Sequence, residues 1–260
     1  MRIATFNVNS VNARLQNLLA WLKEAAPDLV CLQELKCEES KFPRDALEEA
    51  GYMCFVNGQK SYNGVAILSK LPFELARSRL PGEDDDHQAR YLEVEVAIPS
   101  GAVRLACLYC PNGNPIGTDK FDYKLRWMAR LHAHVQSLLT LEEPLVLAGD
   151  WNIIPRPQDC YDANAWIGDA LFQPSSRAAW QRLINLGLTD AFMAAVGEDH
   201  AYTFWDYQAG AWPKDHGIRI DHFVLSPQAA DQLVGVKIWR SARGREKASD
   251  HVPVTADFGL

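Results

Sequence analysis

The chain has 260 residues, 48% hydrophobic and 23% charged, with six cysteines and a formal net charge of −7. That balance fits a globular chain with a sizeable core and excludes a disordered or cross-link-dependent one. No stretch reaches the roughly 20 apolar residues of a spanning helix, and the N-terminus lacks the apolar run of a signal peptide. The expectation is a cytoplasmic protein with reduced core thiols and no membrane partner.

Taken in order, Ile3 to Val8 predicts a first strand, ending with Asn7 and Asn9 on one side. A helical face through Leu15, Leu18, Leu19, Leu22 and Ala25 follows, and Pro27 ends it. Leu29 to Glu34 predicts the second strand, apolar until Gln33 and Glu34. Pro43 to Ala50 predicts a short helix. Tyr52 to Val56 and Gly64 to Leu68 predict paired strands around a polar loop that contains Asn63.

The acidic run Glu83 to His87 predicts a solvated loop rather than a metal site. Arg90 to Ile98 alternates as a half-exposed strand and turns through Pro99, Ser100 and Gly101 into Val103 to Tyr109. Cys107 and Cys110 form a lone CxxC. Residues three apart on a strand face opposite sides, which argues against joint metal or redox chemistry.

Asp119 to Leu141 predicts a long amphipathic helix with Phe121, Leu125, Met128, Leu131, Val135 and Leu138 on its apolar face. Leu145 to Ala148 then predicts a buried strand that breaks at Gly149 and delivers Asp150 and Asn152. In an extended backbone these two point to one side. Ser176 to Leu186 predicts a helix with Ser175 or Ser176 as N-cap. Ala201 to Tyr207 and Ile218 to Leu225 predict strands, Ser226-Pro227 caps a short helix, and Val252 to Phe258 predicts the last strand. No linker or repeat divides the chain, so residues 1–260 predict one α/β domain with two sheets and helices outside.

The polar residues follow a positional rule. Four predicted strands end at Asn7, Glu34, Tyr109-to-Asn112 and Asp150-to-Asn152. Two others carry Asp221 and Asp250-His251 at or before their beginnings. If those two run antiparallel to the rest, every cluster lands on one edge. Crowded carboxylates repel unless a cation joins them, and an oxygen-rich set favours magnesium or manganese over zinc. His251 beside Asp221 favours the protonated imidazole, a partner for charge growing on a phosphate oxygen. Asp150 can hold or deprotonate water, and Tyr109 can reach a leaving oxygen. Taken singly, each has a plain structural role: Asn7 and Asn112 as turn residues, Tyr109 as core, Glu34 as a solvated strand end, Asp250-His251 as a cap or surface pair.

In Thr5-Phe6-Asn7-Val8-Asn9-Ser10, Leu32-Gln33-Glu34-Leu35-Lys36, Tyr109-Cys110-Pro111-Asn112-Gly113, Gly149-Asp150-Trp151-Asn152, Arg219-Ile220-Asp221 and Ser249-Asp250-His251-Val252-Pro253 the chain resembles the exonuclease III family of apurinic/apyrimidinic endonucleases, of the bacterial type. That family lies within the endonuclease/exonuclease/phosphatase superfamily. The blocks stand in the family's order from residue 5 to residue 253.

The resemblance implies a four-layer α/β/β/α sandwich of two packed mixed sheets flanked by helices. It implies Mg2+-dependent cleavage (Mn2+ as substitute) of the phosphodiester 5′ to an abasic site in duplex DNA, with 3′→5′ exonuclease and 3′-end-cleaning activity, by a nucleoid-associated monomer. Glu34 would be the main metal ligand, with Asn7, Asp150, Asn152, Asp250 and His251 around the ion. Asp150 would activate water, Asn152 would orient it or the phosphate, and His251 with Asp221 would stabilise the transition state. Tyr109 would assist at the leaving group beside Asn112. Asn9, Asn63, Arg90, Asn112 and Arg219 would contact substrate, and Phe204, Ile218 and Ile220 would line a slot for the baseless sugar. Other readings are a phosphoesterase for a small phosphoester and a non-catalytic nucleic-acid-binding relative. The basic run Lys237 to Lys247, with five basic residues and one acidic, favours DNA.

Overall fold

A computed structural model describes residues 1–99, 101–197 and 201–260. Ser100, in the expected turn after Ile98, lies outside the described residues. The strands are β1 (Arg2–Asn7), β2 (Leu29–Gln33), β3 (Met53–Asn57), β4 (Val65–Ser69), β5 (Phe73–Arg77), β6 (Tyr91–Ile98), β7 (Gly101–Tyr109), β8 (Leu145–Asp150), β9 (Thr189–Asp190), β10 (Asp221–Leu225), β11 (Leu233–Ile238) and β12 (Val254–Phe258). The helices are α1 (Leu15–Ala25), α2 (Arg44–Glu49), α3 (Asp119–Leu139), α4 (Pro174–Ile184), α5 (Ala191–Ala195) and α6 (Pro227–Ala230).

The strands form two six-stranded sheets, in the orders β11-β12-β1-β2-β4-β3 and β5-β6-β7-β8-β10-β9. Each is mixed, with a parallel pair at its centre, β1 with β2 and β7 with β8. Inward residues of both sheets, among them Ile3, Cys31, Ile67, Val94, Leu105, Cys107, Val146 and Phe223, make one core between them. The opposite face of the first sheet is closed by Leu18, Trp21 and Leu22 of α1 and Leu47 of α2. That of the second is closed by Trp127, Met128 and Leu131 of α3 and Trp180 of α4. The result is the expected α/β/β/α sandwich.

Parallel neighbours need crossover helices, and these cover the outer faces. That burial corrects the reading of β6 as half-exposed over its first half, while Glu95 is exposed as expected. Tyr91 and Glu93 are buried on its outer side, where Glu93 meets Arg104 at 2.9 Å and His134 of α3 at 2.7 Å. Cys107 lies in the inter-sheet core and Cys110 in the layer under α3, so the CxxC thiols occupy separate cores.

Four further expectations shift. The buried face of α3 runs through Lys124, Trp127, Met128 and Leu131, with Phe121 and Leu125 only half-buried at its border. α4 begins at Pro174, two residues before the expected start, because proline is pre-set for a first helical turn. Ser176 instead donates to Ala170 O at 2.7 Å. The aromatic run 201–207 is no strand and makes only isolated bridges, from Phe204 to Ile218 and to His251. The acidic run is also tied down, since Glu83 and Asp86 meet Arg130 of α3 at 3.0 and 2.7 Å.

Candidate active site

The antiparallel condition is met. β10 runs antiparallel to β8 with Asp221 opposite Asp150, and β12 runs antiparallel to β1. The C-terminal ends of β1, β2, β7 and β8 and the approaches to β10 and β12 therefore meet at one edge. Glycine is required at residue 149, where a Cβ would stand 1.9 Å from Leu108 O of the neighbouring strand.

Left-handed backbone then turns side chains inward just beyond the strands. Asn9, Glu34, Lys36, Asn63 and Asn152 all have φ between 45° and 53°. Strain of this kind costs roughly 1–3 kcal/mol per residue and concentrates at functional sites. It also corrects the simple alternation expected for Asp150 and Asn152. β8 stops at Asp150, and a turn brings the Asn152 amide N–H to Asp150 Oδ1 at 2.9 Å.

At the centre, Asn7 Nδ2 donates to Glu34 Oε1 at 3.0 Å and to Asp150 Oδ2 at 2.9 Å. Tyr109 donates its hydroxyl to Glu34 Oε1 at 2.8 Å, and Lys36 Nζ lies 2.9 Å from Glu34 Oε2. His251 Nδ1 donates to Asp221 Oδ2 at 2.9 Å, while its Nε2 faces Asp150 Oδ2 at 3.7 Å. Asn112 donates to Asn152 Oδ1 at 3.2 Å, and Asn152 donates to Cys110 O at 2.9 Å. Asp250 accepts from Asn9 Nδ2 at 3.0 Å.

The electrostatics separate the roles. Burial pushes the Asp150 carboxyl up to about 7, against the pull of His251. A carboxylate poised near neutrality suits proton transfer from water. Burial works against charge on His251, but Asp221 and Asp150 outweigh it and raise the imidazole to about 10. Within the pair the proton belongs to His251, which Asp221 also supports. Burial would raise Glu34 too, yet the contacts from Asn7 and Lys36 hold it below the usual carboxylate range.

Glu34, Asp150 and His251 bring possible ligand atoms within 4.8 Å of one another. The Asn7 NH2 now bridges the two carboxylates as a neutral stand-in for positive charge. Two carboxylates and an amide form an oxygen set that fits a hard divalent cation, with protonated His251 at its edge.

The remaining predicted residues separate into groups. Asn63, Arg90 and Asn112 line one cavity of about 570 Å3, with Arg90 stacked 4.7 Å over the Tyr109 ring. Phe204 sits 4.9 Å from the His251 ring and joins an apolar cluster with Ile218, Ile220, Ile154, Leu171 and Trp166. Arg219 corrects the expectation of a substrate contact. Its guanidinium is buried beneath that cluster and held by Asp159 at 2.8 Å and Asp190 at 3.0 Å. Alternation explains this, because Arg219 faces away from the side that Ile218 and Ile220 present.

Three supporting residues were given no role from the sequence, although Ser249 opens one of the motifs. Ser249 donates to Asn7 O at 2.8 Å and Thr203 Oγ1 accepts from the Ile220 and Asp221 N–H groups, each at 3.1 Å. Lys124 is fully buried and donates to Asn152 O at 2.6 Å, Pro111 O at 3.0 Å and Asn112 O at 3.2 Å. Burial lowers its pKa from the ordinary lysine value. A lysine four residues before Met128 and seven before Leu131, on the face they bury, was the available signal.

Residues 4–251 match the Endonuclease/Exonuclease/phosphatase family. The chain belongs to that family. Exodeoxyribonuclease III of Haemophilus influenzae is a 32% identical member, over 99% of this chain and 100% of its own. A Neisseria 3′ phosphatase of this fold, solved with a product DNA hairpin, superposes with a TM-score of 0.96 at 39% identity over 100% of both chains. An AP endonuclease from Archaeoglobus fulgidus gives 0.94 at 33% identity, again over 100% of both.

Proposed function

We propose that the chain is a DNA repair nuclease that hydrolyses the phosphodiester bond 5′ to abasic sites in duplex DNA. The same site trims and cleans 3′ ends, as the activities in its relatives' names support. The observation that carries the reading is the position of Asp150. One face of this buried carboxylate meets Asn7 and His251, and the other is fixed by the Asn152 N–H.

In this reading Glu34 is the primary ligand of Mg2+, which Mn2+ can replace, and Asn7, Asp150, Asn152, Asp250 and His251 complete its surroundings. When bound, such an ion supplies Lewis-acid stabilisation to the phosphate and to the departing oxygen. Asp150 takes the proton of the attacking water, and Asn152, steadied by Asn112, orients that water and the phosphate. Protonated His251 donates toward the phosphate oxygen whose charge grows. Tyr109 supports the departing oxygen. Asn9, Asn63, Arg90 and Asn112 border the strand, and Phe204, Ile218 and Ile220 wall a slot that a nucleotide still carrying its base cannot enter. The buried pairing of Arg219 makes it a support of that slot.

The pairing of β12 with β1 supports one domain over residues 1–260. With its substrate on the chromosome, the enzyme works in the cytoplasm at the nucleoid, as a monomer.

The test is a duplex with one abasic analogue, incubated with magnesium and separately with chelator. Incision 5′ to the lesion only with magnesium is expected. Absence of incision with magnesium sinks the proposal, and full activity in Glu34→Ala or Asp150→Ala refutes the metal and water assignments.

A further inference from the structure

Beside this site lies a second concavity of about 380 Å3, bordered by Arg14, Tyr207, Arg243, Arg245, Lys247 and Ala248. No acidic residue lines it among the described residues, in a chain whose net charge is −7. Of its cations only Arg245 meets a carboxylate, Glu24 at 2.6 Å. Arg14 and Arg243 have none, and Lys247 is exposed with no side-chain partner among the described residues. Arg14 also keeps a buried, unpartnered Nε.

The pocket is built rather than incidental. Arg14 donates to the Tyr207 hydroxyl at 3.0 Å, and that hydroxyl donates to Ala248 O at 2.8 Å. Arg243 reaches Trp205 O at 3.1 Å and lies 5.1 Å over the Tyr207 ring. Four cations that share one carboxylate, Glu24 on Arg245, repel one another, and an anion relieves that.

The position narrows the anion. Ala248 is three residues from His251, a span of at most roughly 10 Å. Arg14 follows Asn9 in the turn after β1. Both sides of the pocket thus lead straight into the catalytic edge.

We propose that this pocket is a second phosphate site, gripping a backbone phosphate of the duplex one to a few nucleotides from the scissile bond. The proposal rests on the DNA-nuclease reading, with Arg14, Arg243 and Lys247 as the contacts and Tyr207 as the wall that sets them. Such contacts fix the register of the duplex and carry no sequence information.

Each neutralised phosphate contributes about 0.9 to the slope of log affinity against log salt on B-DNA. The experiment therefore measures binding of an abasic-analogue duplex, in chelator, between low and moderate salt. Lys247→Gln and Arg14→Gln should each weaken binding at low and moderate salt, and combined they should reduce the slope by about one. Lys247 makes no contact whose loss could unfold the chain, so its variant stays interpretable. Lys70→Gln is the control: Lys70 follows Ser69, which pairs with Leu29 at the end of β2 opposite Glu34, and it should leave the slope unchanged. An unchanged slope in the combined Lys247 and Arg14 variant overturns the second site. Incision by the unaltered protein is scored separately, so the pocket and the function fail independently.

Discussion

Asp221 is a buried carboxylate with one oxygen bonded to His251 Nδ1 at 2.9 Å and the other without a partner. A carboxylate left half-satisfied in the interior keeps its negative charge focused on the one imidazole it touches. His251 thereby holds its proton well above neutrality and presents Nε2–H toward Asp150.

Replacing Asp221 by Asn should keep the shape and remove that charge. The expected result is a fall in kcat of about two orders of magnitude, similar to loss of a transition-state donor at ~3–4 kcal/mol. The alkaline limb should also move to lower pH, because Asp221 helps raise His251 to about 10. A pH–rate profile with its alkaline limb unmoved would contradict the assignment.

Lys124 neutralises no carboxylate within bonding distance, yet three backbone carbonyls of the catalytic loops converge on it. Lys124→Met keeps most of the volume and leaves those carbonyls unpaired in the interior. Each orphaned group costs about 1–3 kcal/mol, so urea unfolding should show a loss of several kcal/mol. Because Asn152 loses its anchor, kcat should fall while DNA affinity in chelator holds. Wild-type stability in this variant would remove the structural role given to the lysine.

The Arg219 cluster gives a pH dependence of stability. Burial, with Arg219 adding to it, pushes His222 down to about 4 from 6.5. Folded His222 is thus neutral where the unfolded imidazole already binds a proton, and between those values acid favours unfolding. The stabilisation is complete above pH 6.5 and is lost as pH falls toward 4, about 3 kcal/mol in all. Asp159 extends the loss below pH 3.8. Burial would raise it, but Arg156 and Arg219 hold it at about 2, so its contribution disappears as pH falls through that range. The difference in urea midpoint between wild type and His222→Gln, which cancels the opposite contribution of Asp150, should shrink as pH falls from 7 to 4.

Arg219→Met should leave Asp159 and Asp190 buried and unpaired, at a cost of about 3–5 kcal/mol. If the residue is a support, the salt slope of DNA binding by the variant, measured at low temperature, stays at the wild-type value. A slope reduced by about one would restore the substrate contact that its motif suggested.

Much of this architecture was legible because strand ends carry the chemistry. Apolar runs stopping at Asn7, Glu34 and Asp150 mark the site edge in the sequence itself, and the antiparallel returns at Asp221 and Asp250 complete it. Side-chain direction was less legible. Arg219 stands inside a motif, and only the pairing of its neighbours with Phe204 and Thr203 turns it inward. Lys124 lay in a helix whose apolar stripe was right from Met128 through Leu131, Val135 and Leu138, but at its start took Phe121 and Leu125 where packing buries Lys124 and Trp127. The short β5, β9 and β11 had no clear periodic signal, since two edge strands and a two-residue strand depend on neighbours for their hydrogen bonds.

The site draws on both sheets. Asn7 and Glu34 come from the ends of β1 and β2, and Tyr109, Asp150 and Asp221 from the second sheet, with Asp250 and His251 arriving just before β12. Neither half alone contains a ligand set with its base and acid. A chain in which β12 has not yet paired with β1 carries no complete site. Cutting competence therefore arrives only when the two sheets have closed on each other.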